Sequence, residues 1–302
     1  MRPSENHKAG FAMLEELKAL LAVVQHGTFE SAGAQIGLSR SAISSRIRQL
    51  ETRLGITLFI RTGRALRLAP DAQRVVTLAR QMLALADEMQ AIDSTALRGH
   101  LRLGAITSVQ GTLLPPVLRE MRLQAPDLHV QLIPGVSLTL LDQVDRGELD
   151  MALLIRPPFA LPASLQGEVF HREPFVLITP REIIEGDPLE ILTGHPFIQY
   201  DRSSFGGRQV AGFLTRQRLV PSTVLEVDDI EAIVRMVAAG LGVALVPMAG
   251  LWCRDVDGDI RIHALPSPVI ERELMMVTRA PLVPGSSQAL LRDCLMASPR
   301  DP

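Results

Sequence analysis

Between Thr28 and Gly55 the sequence spells two short helices joined by only Gly37-Leu38-Ser39. Thr28 stands as an N-cap before the first, Phe29 to Ile36, and Gly37 offers a left-handed stop. Ser39 is a second N-cap, and the helix after it carries Ile43, Ile47, Leu50 and Leu54 on one face before Gly55 ends it. Helices this short are marginal alone, so they must fold across each other. A preceding helix with Leu14, Leu17, Leu20, Leu21 and Val24 at i, i+3 and i+4 spacing supplies a third wall.

With its apolar face turned inward, the second helix leaves Arg40, Ser41, Ser44, Ser45 and Arg48 on its outer face. One helix crossing the backbone while its neighbour enters the major groove is the geometry by which such a pair reads duplex DNA. Arginine can address guanine edges with two donors, and serine can donate to phosphate or a base edge. Leu58 to Arg61 and Leu66 to Leu68 then alternate as two strands around Thr62-Gly63-Arg64, so Arg61, Arg64 and Arg67 fall where a wing would touch phosphates. Thr28 and Ser39 complete the candidate DNA-facing set.

Charge supports this placement only when counted by segment. The whole chain has a net charge of −2, but residues 1–70 hold ten Lys and Arg against five acids, leaving 21 against 28 beyond. A basic head of +5 on an acidic body of −7 suggests a nucleic-acid-binding module joined to something else. Only eleven residues are aromatic, too few for a surface that stacks unpaired bases, so duplex DNA is favoured over single strands.

From Asp71 to about Thr95 no Gly or Pro interrupts a helical pattern. Val75, Leu78, Met82, Leu85, Met89 and Ile92 follow 3,4 spacing, an a/d seam that predicts pairing with a second copy of the chain. Beyond Arg98 the pattern alternates between strands and helices. Strands are expected at 101–106, 129–133, 151–155, 175–179, 197–200, 224–227, 243–246 and 274–278, and helices at 113–124, 138–146, 207–218 and 230–239. That alternation predicts parallel sheets covered by helices, arranged as two α/β lobes.

Cys253 and Cys294 form no CxxC or metal-ligand spacing, and the seven histidines are scattered, so no metal and no cofactor is expected. Gly240-Leu241-Gly242 lacks the third glycine of a dinucleotide fingerprint, and no Walker A, G-x-S-x-G or H-E-x-x-H sequence occurs, so the chain does not read as an enzyme. The N-terminal residues lack a signal peptide's apolar stretch, and the longest apolar run, Met236 to Trp252, is broken by Gly240, Gly242 and Pro247. A cytoplasmic protein without a membrane partner is expected.

The stretch Leu17 to Pro70, with Gly27-Thr28-Phe29, Ala32, Ser39 to Ser44, Ile47 to Glu51, Leu54-Gly55, Leu58-Phe59, Arg61 and Leu68-Ala69-Pro70, resembles the winged helix-turn-helix of LysR-type transcriptional regulators. Looser landmarks continue the likeness: Leu103-Gly104, Leu114-Pro115, Gly147-Glu148-Leu149-Asp150, Gly240-Leu241-Gly242 and Val246-Pro247. The resemblance implies a flexible tail over residues 1–12, a DNA-binding domain over 13–70 and a dimerising linker helix over 71–97. It further implies an effector-binding domain over 98–302, with lobe I at about 98–172 and 267–302 and lobe II at about 173–266. Arg40, Ser41 and Ser45 stand where the family most often has Gln, Pro and Arg, so base preference is not expected to carry over. Ile60 and Ala72 replace a usual acid and a usual Gly. Partners implied are double-stranded promoter DNA, a small-molecule effector, RNA polymerase and further copies of the chain, as a homodimer or homotetramer.

Two such lobes also resemble periplasmic solute-binding proteins, whose ligand sits between them. Open α/β sheets bind at the carboxyl ends of strands, which here bear Thr107 and Ser108, Ser137, and then Tyr200, Arg202 and Ser203. An organic anion is the expected effector, held by helix N-termini and countered by Arg202. Helix capping is the plain alternative for Thr107, Ser108 and Ser137, and an ion pair with Asp201 for Arg202. A solute-binding module whose head serves protein contacts, or a thiol switch through Cys253 or Cys294, is the alternative function.

Overall fold

The computed structural model describes residues 5–62, 65–91, 97–184, 186–249, 258–267, 269–279 and 281–298. The chain divides into two compact units, residues 1–95 and 96–302.

The first unit consists of α1 (Glu5–His26), α2 (Phe29–Ile36), α3 (Arg40–Leu54), β1 (Phe59–Thr62), β2 (Ala65–Leu68) and α4 (Ala72–Ala91). α1 starts at Glu5, so the tail expected over residues 1–12 is helical from that point. No proline follows Pro3 before Met13, and the one internal glycine, Gly10, costs about 1 kcal/mol against alanine, which the longer helix absorbs. Leu17, Leu20 and Val23 of α1, Ile43, Ile47 and Leu50 of α3, and Leu58 form the core. β1 and β2 pair antiparallel from Phe59 with Leu68 to Thr62 with Ala65.

α4 does not present a bare seam. Ala72, Val76 and Ala79 are buried in this unit's own core, with Val75 and Leu83 packed at its edge. One face of the helix therefore lies on its own head, and Val75 of the expected seam packs there. Leu78, Met82 and Leu85 point elsewhere and stay exposed, Leu85 by 58%. The Met89 side chain and Ile92 lie outside the described residues.

The second unit is a two-lobed mixed α/β fold. Lobe I holds β3 (Gly99–Ala105), α5 (Thr107–Thr112), α6 (Leu114–Gln124), β4 (Leu128–Pro134), α7 (Ser137–Asp145) and β5 (Met151–Ile155). β6 (Gln166–Pro180) leads into lobe II, which holds α8 (Pro188–Gly194), β7 (Pro196–Tyr200), α9 (Phe205–Arg216), β8 (Ser222–Val227), α10 (Ile230–Ala238), β9 (Val243–Pro247) and β10 (Ile260–Ala264). β11 (Glu271–Thr278) returns to lobe I, closed by α11 (Ser287–Ala297).

The strands run β4-β3-β5-β11-β6-β9-β7-β8 in one hydrogen-bonded path, with β10 beside β6. β3 pairs parallel with β4 and β5, and β7 parallel with β8 and β9, as βαβ connections require. The expectation of wholly parallel sheets fails at the crossing. β11 is antiparallel to both β5 and β6, and β6 to β9 and β10, because the chain crosses out on one strand and back on its neighbour. β6 is fifteen residues long, about 50 Å at strand rise, and its first half was missed because Gln166 to Glu173 is mostly polar. Two cores result, one around Leu101, Leu103, Leu153 and Leu274, the other around Phe175, Phe197, Val234 and Leu245.

Candidate DNA interface and effector cleft

The helix-turn-helix is fixed by its caps. Thr28 Oγ1 accepts from Ser31 N at 3.0 Å, and Ser39 Oγ accepts from Ala42 N at 3.1 Å. Gly37 closes α2 at φ 71°, a left-handed conformation that suits glycine. Gly33 permits the tight turn, because a Cβ there would run into the Leu38 carbonyl. Leu38 N instead donates to Gly33 O at 2.8 Å.

Burial of Ile43, Ile47 and Leu50 rotates Arg40, Ser41, Ser45 and Arg48 outward, all exposed, with Ser44 half-buried. The arginines of α3 divide by role. Arg46 pairs with Glu15 at 2.9 Å and Arg53 with Glu16 at 3.1 Å, clamping α3 to α1. Arg40 and Arg48 make no ion pair among the described residues, so their charge faces out. Glu51 Oε1 accepts from Leu58 N at 2.8 Å and so fixes where the β1–β2 hairpin begins. Arg67 on that hairpin is exposed. The Arg61 side chain and Arg64 lie outside the described residues.

In the second unit a cavity of about 630 Å³ opens between the lobes. Thr107, Ser108 and Ser137 line it from lobe I, Tyr200 and Ser203 from lobe II. None of the three lobe I hydroxyls caps a helix: Ile106 and Val136 occupy the N-cap positions of α5 and α7 without side-chain bonds. Ser137 Oγ accepts from Ile155 N at 3.2 Å, tying α7 to β5. Ser204 caps α9 by accepting from Gly207 N, and a Cβ on Gly207 would collide with the Asp201 carbonyl, so this turn needs glycine.

Arg202 is the site residue that the structure moves out. It is exposed and absent from the cavity wall, with its backbone N donating to Glu226 Oε1 at 2.9 Å. It does not pair with Asp201, whose carboxylate accepts from Ser203 N and Ser203 Oγ. Tyr200, Asp201, Ser203, Ser204 and Phe205 all line the cleft, and Arg202 alone of this stretch turns away. The counter-charge expected for an anion is therefore not found on the wall among the described residues. Asp201, Asp228, Asp229 and Glu231 line it, and no described Lys or Arg does. Burial, with Asp201 and Asp229 nearby, pushes the Asp228 carboxyl above the ordinary aspartate range.

The buried cation near the cleft is Arg272, on β11. It pairs with Glu173 of β6, both almost wholly buried, and its Nη2 donates to Ser108 Oγ at 3.0 Å. Burial raises the pKa of the Tyr200 hydroxyl, against the opposing pull of the Arg272 charge. Nothing in the alternating pattern of Glu271 to Thr278 singled it out. The usable signal was an arginine two residues before the apolar run Leu274 to Val277 of the same strand.

Cys294 is buried in α11, and burial, with Glu120 and Asp293 nearby, pushes its thiol up, away from a reactive thiolate. Cys253 lies outside the described residues.

Residues 14–73 match the family described as bacterial regulatory helix-turn-helix protein, lysR family, and residues 94–298 match the LysR substrate binding domain. A probable hydrogen peroxide-inducible genes activator from Streptomyces viridosporus is 33% identical over 243 residues, 78% of this chain and 77% of its own. The HTH-type regulator YfeR of Shigella flexneri is 28% identical over 276 residues, 88% and 87% of the two chains. Among solved structures, a full-length OxyR variant from Pseudomonas aeruginosa has a TM-score of 0.74 at 24% identity, covering 94% of both chains. Full-length CbnR in complex with its target DNA has a TM-score of 0.60 at 19% identity, covering 93% of this chain and 98% of its own. At these identities the two structures show the fold alone. The family matches span the head and the body, and the chain belongs to the LysR family of transcriptional regulators.

Proposed function

We propose that this regulator binds an interrupted palindrome in promoter DNA as a dimer or tetramer, works with RNA polymerase in the cytoplasm, catalyses no reaction, and changes its grip on DNA when a small molecule fills the interlobe cleft. The observation that carries the DNA part is the division of α3: its apolar face and Arg46 and Arg53 are spent on packing, while Arg40 and Arg48 are left facing out. Charge presented outward from a helix start supplies both base and phosphate contacts. Pairing through Leu78, Met82 and Leu85 of α4 supplies two heads, and two heads read two half-sites separated by whole turns of about 10–10.5 base pairs.

A ligand changes the DNA complex only if it binds one arrangement of the lobes better than the other. The cleft supports that requirement, since its walls come from both lobes. Selection of sites from a random duplex pool, followed by footprinting, tests the reading. Two protected half-sites in helical phase are expected, and a single unpaired footprint overturns the dimeric mode.

A further inference from the structure

We propose that the interlobe cleft takes a small organic cation, an amine on an apolar body, with the ammonium group held by Asp228 and Asp201 of lobe II. The proposal rests on reading the cleft as the effector site and names the class of molecule that site accepts.

The wall settles the sign of the charge. Among the described residues four carboxylates line the cavity and no cationic side chain does. Helix starts are the opposing influence: α5, α7, α9 and α10 all begin at the wall, and each contributes about half a positive charge at most. Together they offset no more than half of the four acids, and α5, at six residues, contributes the least. Part of that offset is consumed locally, because the Asp229 carboxylate already accepts from Ala232 N to cap α10. The cavity remains an acidic one.

The described cations near the cleft lie outside its lining. Arg272 is paired with Glu173 and its Nη2 donates to Ser108, so its charge is neutralised behind the wall, although its Nη1 is buried without a hydrogen-bond partner. Arg208 donates to the Ser203 carbonyl and lies 5.6 Å over the Phe205 ring, outside the wall. Arg202 is exposed beside Glu226. An anionic ligand would therefore meet Asp201, Asp228 and Asp229 without a facing cation. Between its hydroxyl groups the wall carries Ile106, Val136, Leu138, Ile155 and Ile230, an apolar surface that suits a hydrocarbon body.

Asp228 is the group that answers to the ligand. Its carboxyl is held above the ordinary range by burial and by the charges of Asp201 and Asp229. Tyr200 on β7 interacts with it electrostatically, and Glu231 of α10 lines the same wall. An ammonium ion favours the ionised form. Binding therefore releases a proton, and affinity falls as the pH is lowered through the titration of Asp228.

Calorimetry on the full chain with hexylammonium, hexanoate and 1-hexanol tests this. Hexylammonium is expected to bind at least tenfold more tightly than either other probe and to weaken on acidification. Asp228→Asn should reduce its affinity tenfold or more, Thr107→Trp, which fills the cleft from lobe I, should abolish it, and Arg202→Ala should leave it unchanged. Tighter binding of hexanoate that Thr107→Trp abolishes overturns the cationic class and keeps the cleft. Hexylammonium binding that survives Thr107→Trp overturns the cleft reading itself. Equal affinities for the three probes, or no binding by any, overturn the proposal.

Discussion

Arg272 Nη2 donates to Ser108 Oγ at 3.0 Å, so a strand that crosses between the lobes holds the first turn of α5 on the cleft wall. The same guanidinium is paired with Glu173, and its charge pulls the Tyr200 pKa down against burial. One buried cation thus holds one wall of the cavity and acts electrostatically on the other.

Removing it alone leaves Glu173 charged in the interior. Arg272→Met is expected to cost about 3–5 kcal/mol, the usual penalty for orphaning one member of a buried pair. The double variant Arg272→Met/Glu173→Leu should recover most of that loss. Urea unfolding of the three proteins measures both, and an Arg272→Met chain as stable as the parent refutes the account.

The turn of the DNA-binding motif depends on a missing side chain. Gly33→Val places a branched Cβ against the Leu38 carbonyl, which is backbone and cannot rotate away. A loss of about 1–3 kcal/mol is expected for overpacking of this kind. Duplex binding should fall with it while ligand binding by the second unit persists, since Gly33 belongs to the first.

Arg48 and Arg40 should separate phosphate contact from base contact. Arg48→Ala is expected to weaken binding to all duplexes alike and reduce the slope of log affinity against log salt by about 0.9. Arg40→Ala, at the helix start, should cost about 1–3 kcal/mol on the preferred site only. Fluorescence anisotropy titrations at several salt concentrations read both, and identical effects on specific and random DNA would remove the base-reading role of Arg40.

The exposed face of α4 predicts its own disruption. Leu78→Asp with Leu85→Asp puts charges where Leu78 and Leu85 are 48% and 58% exposed. The folded head should survive, because Val76 and Ala79 form the buried face. Light scattering is expected to show a smaller assembly; an unchanged mass would move the dimer interface elsewhere.

Asp228 makes stability depend on pH with a known sign. Its native pKa is raised, so the folded chain binds that proton more tightly than the unfolded one. The cost is absent below the ordinary aspartate range, grows through the window up to the raised value, and is complete above it. Asp228→Asn should therefore stabilise the chain at neutral pH and change nothing in strong acid. Thermal melts at two pH values check this.

The sequence reached furthest where local rules act. Thr28, Gly37, Ser39 and Gly55 punctuate α2 and α3 because caps and left-handed stops are decided within four residues. β5 at Met151–Ile155 and the end of α10 before Gly240 were legible for similar reasons. The cleft was partly legible: Thr107, Ser108, Ser137, Tyr200 and Ser203 do line it. Arg202 failed because residue order does not say which side of a loop faces inward. Asp228 and Asp229 read as a helix start, and only tertiary placement brings them opposite Asp201. Arg272 was invisible because its partner Glu173 lies 99 residues away.

The long β6 strand orders events in time. Lobe II is inserted between parts of lobe I, whose core needs Leu274 from β11 and Leu291 and Leu295 from α11. The first unit is finished by residue 95, whereas lobe I stays incomplete until Leu295 is made. At a ribosome's pace of about 5–20 residues per second, roughly 10–40 s separate the two. For that interval each nascent polypeptide carries a finished reading head and an unfinished sensor.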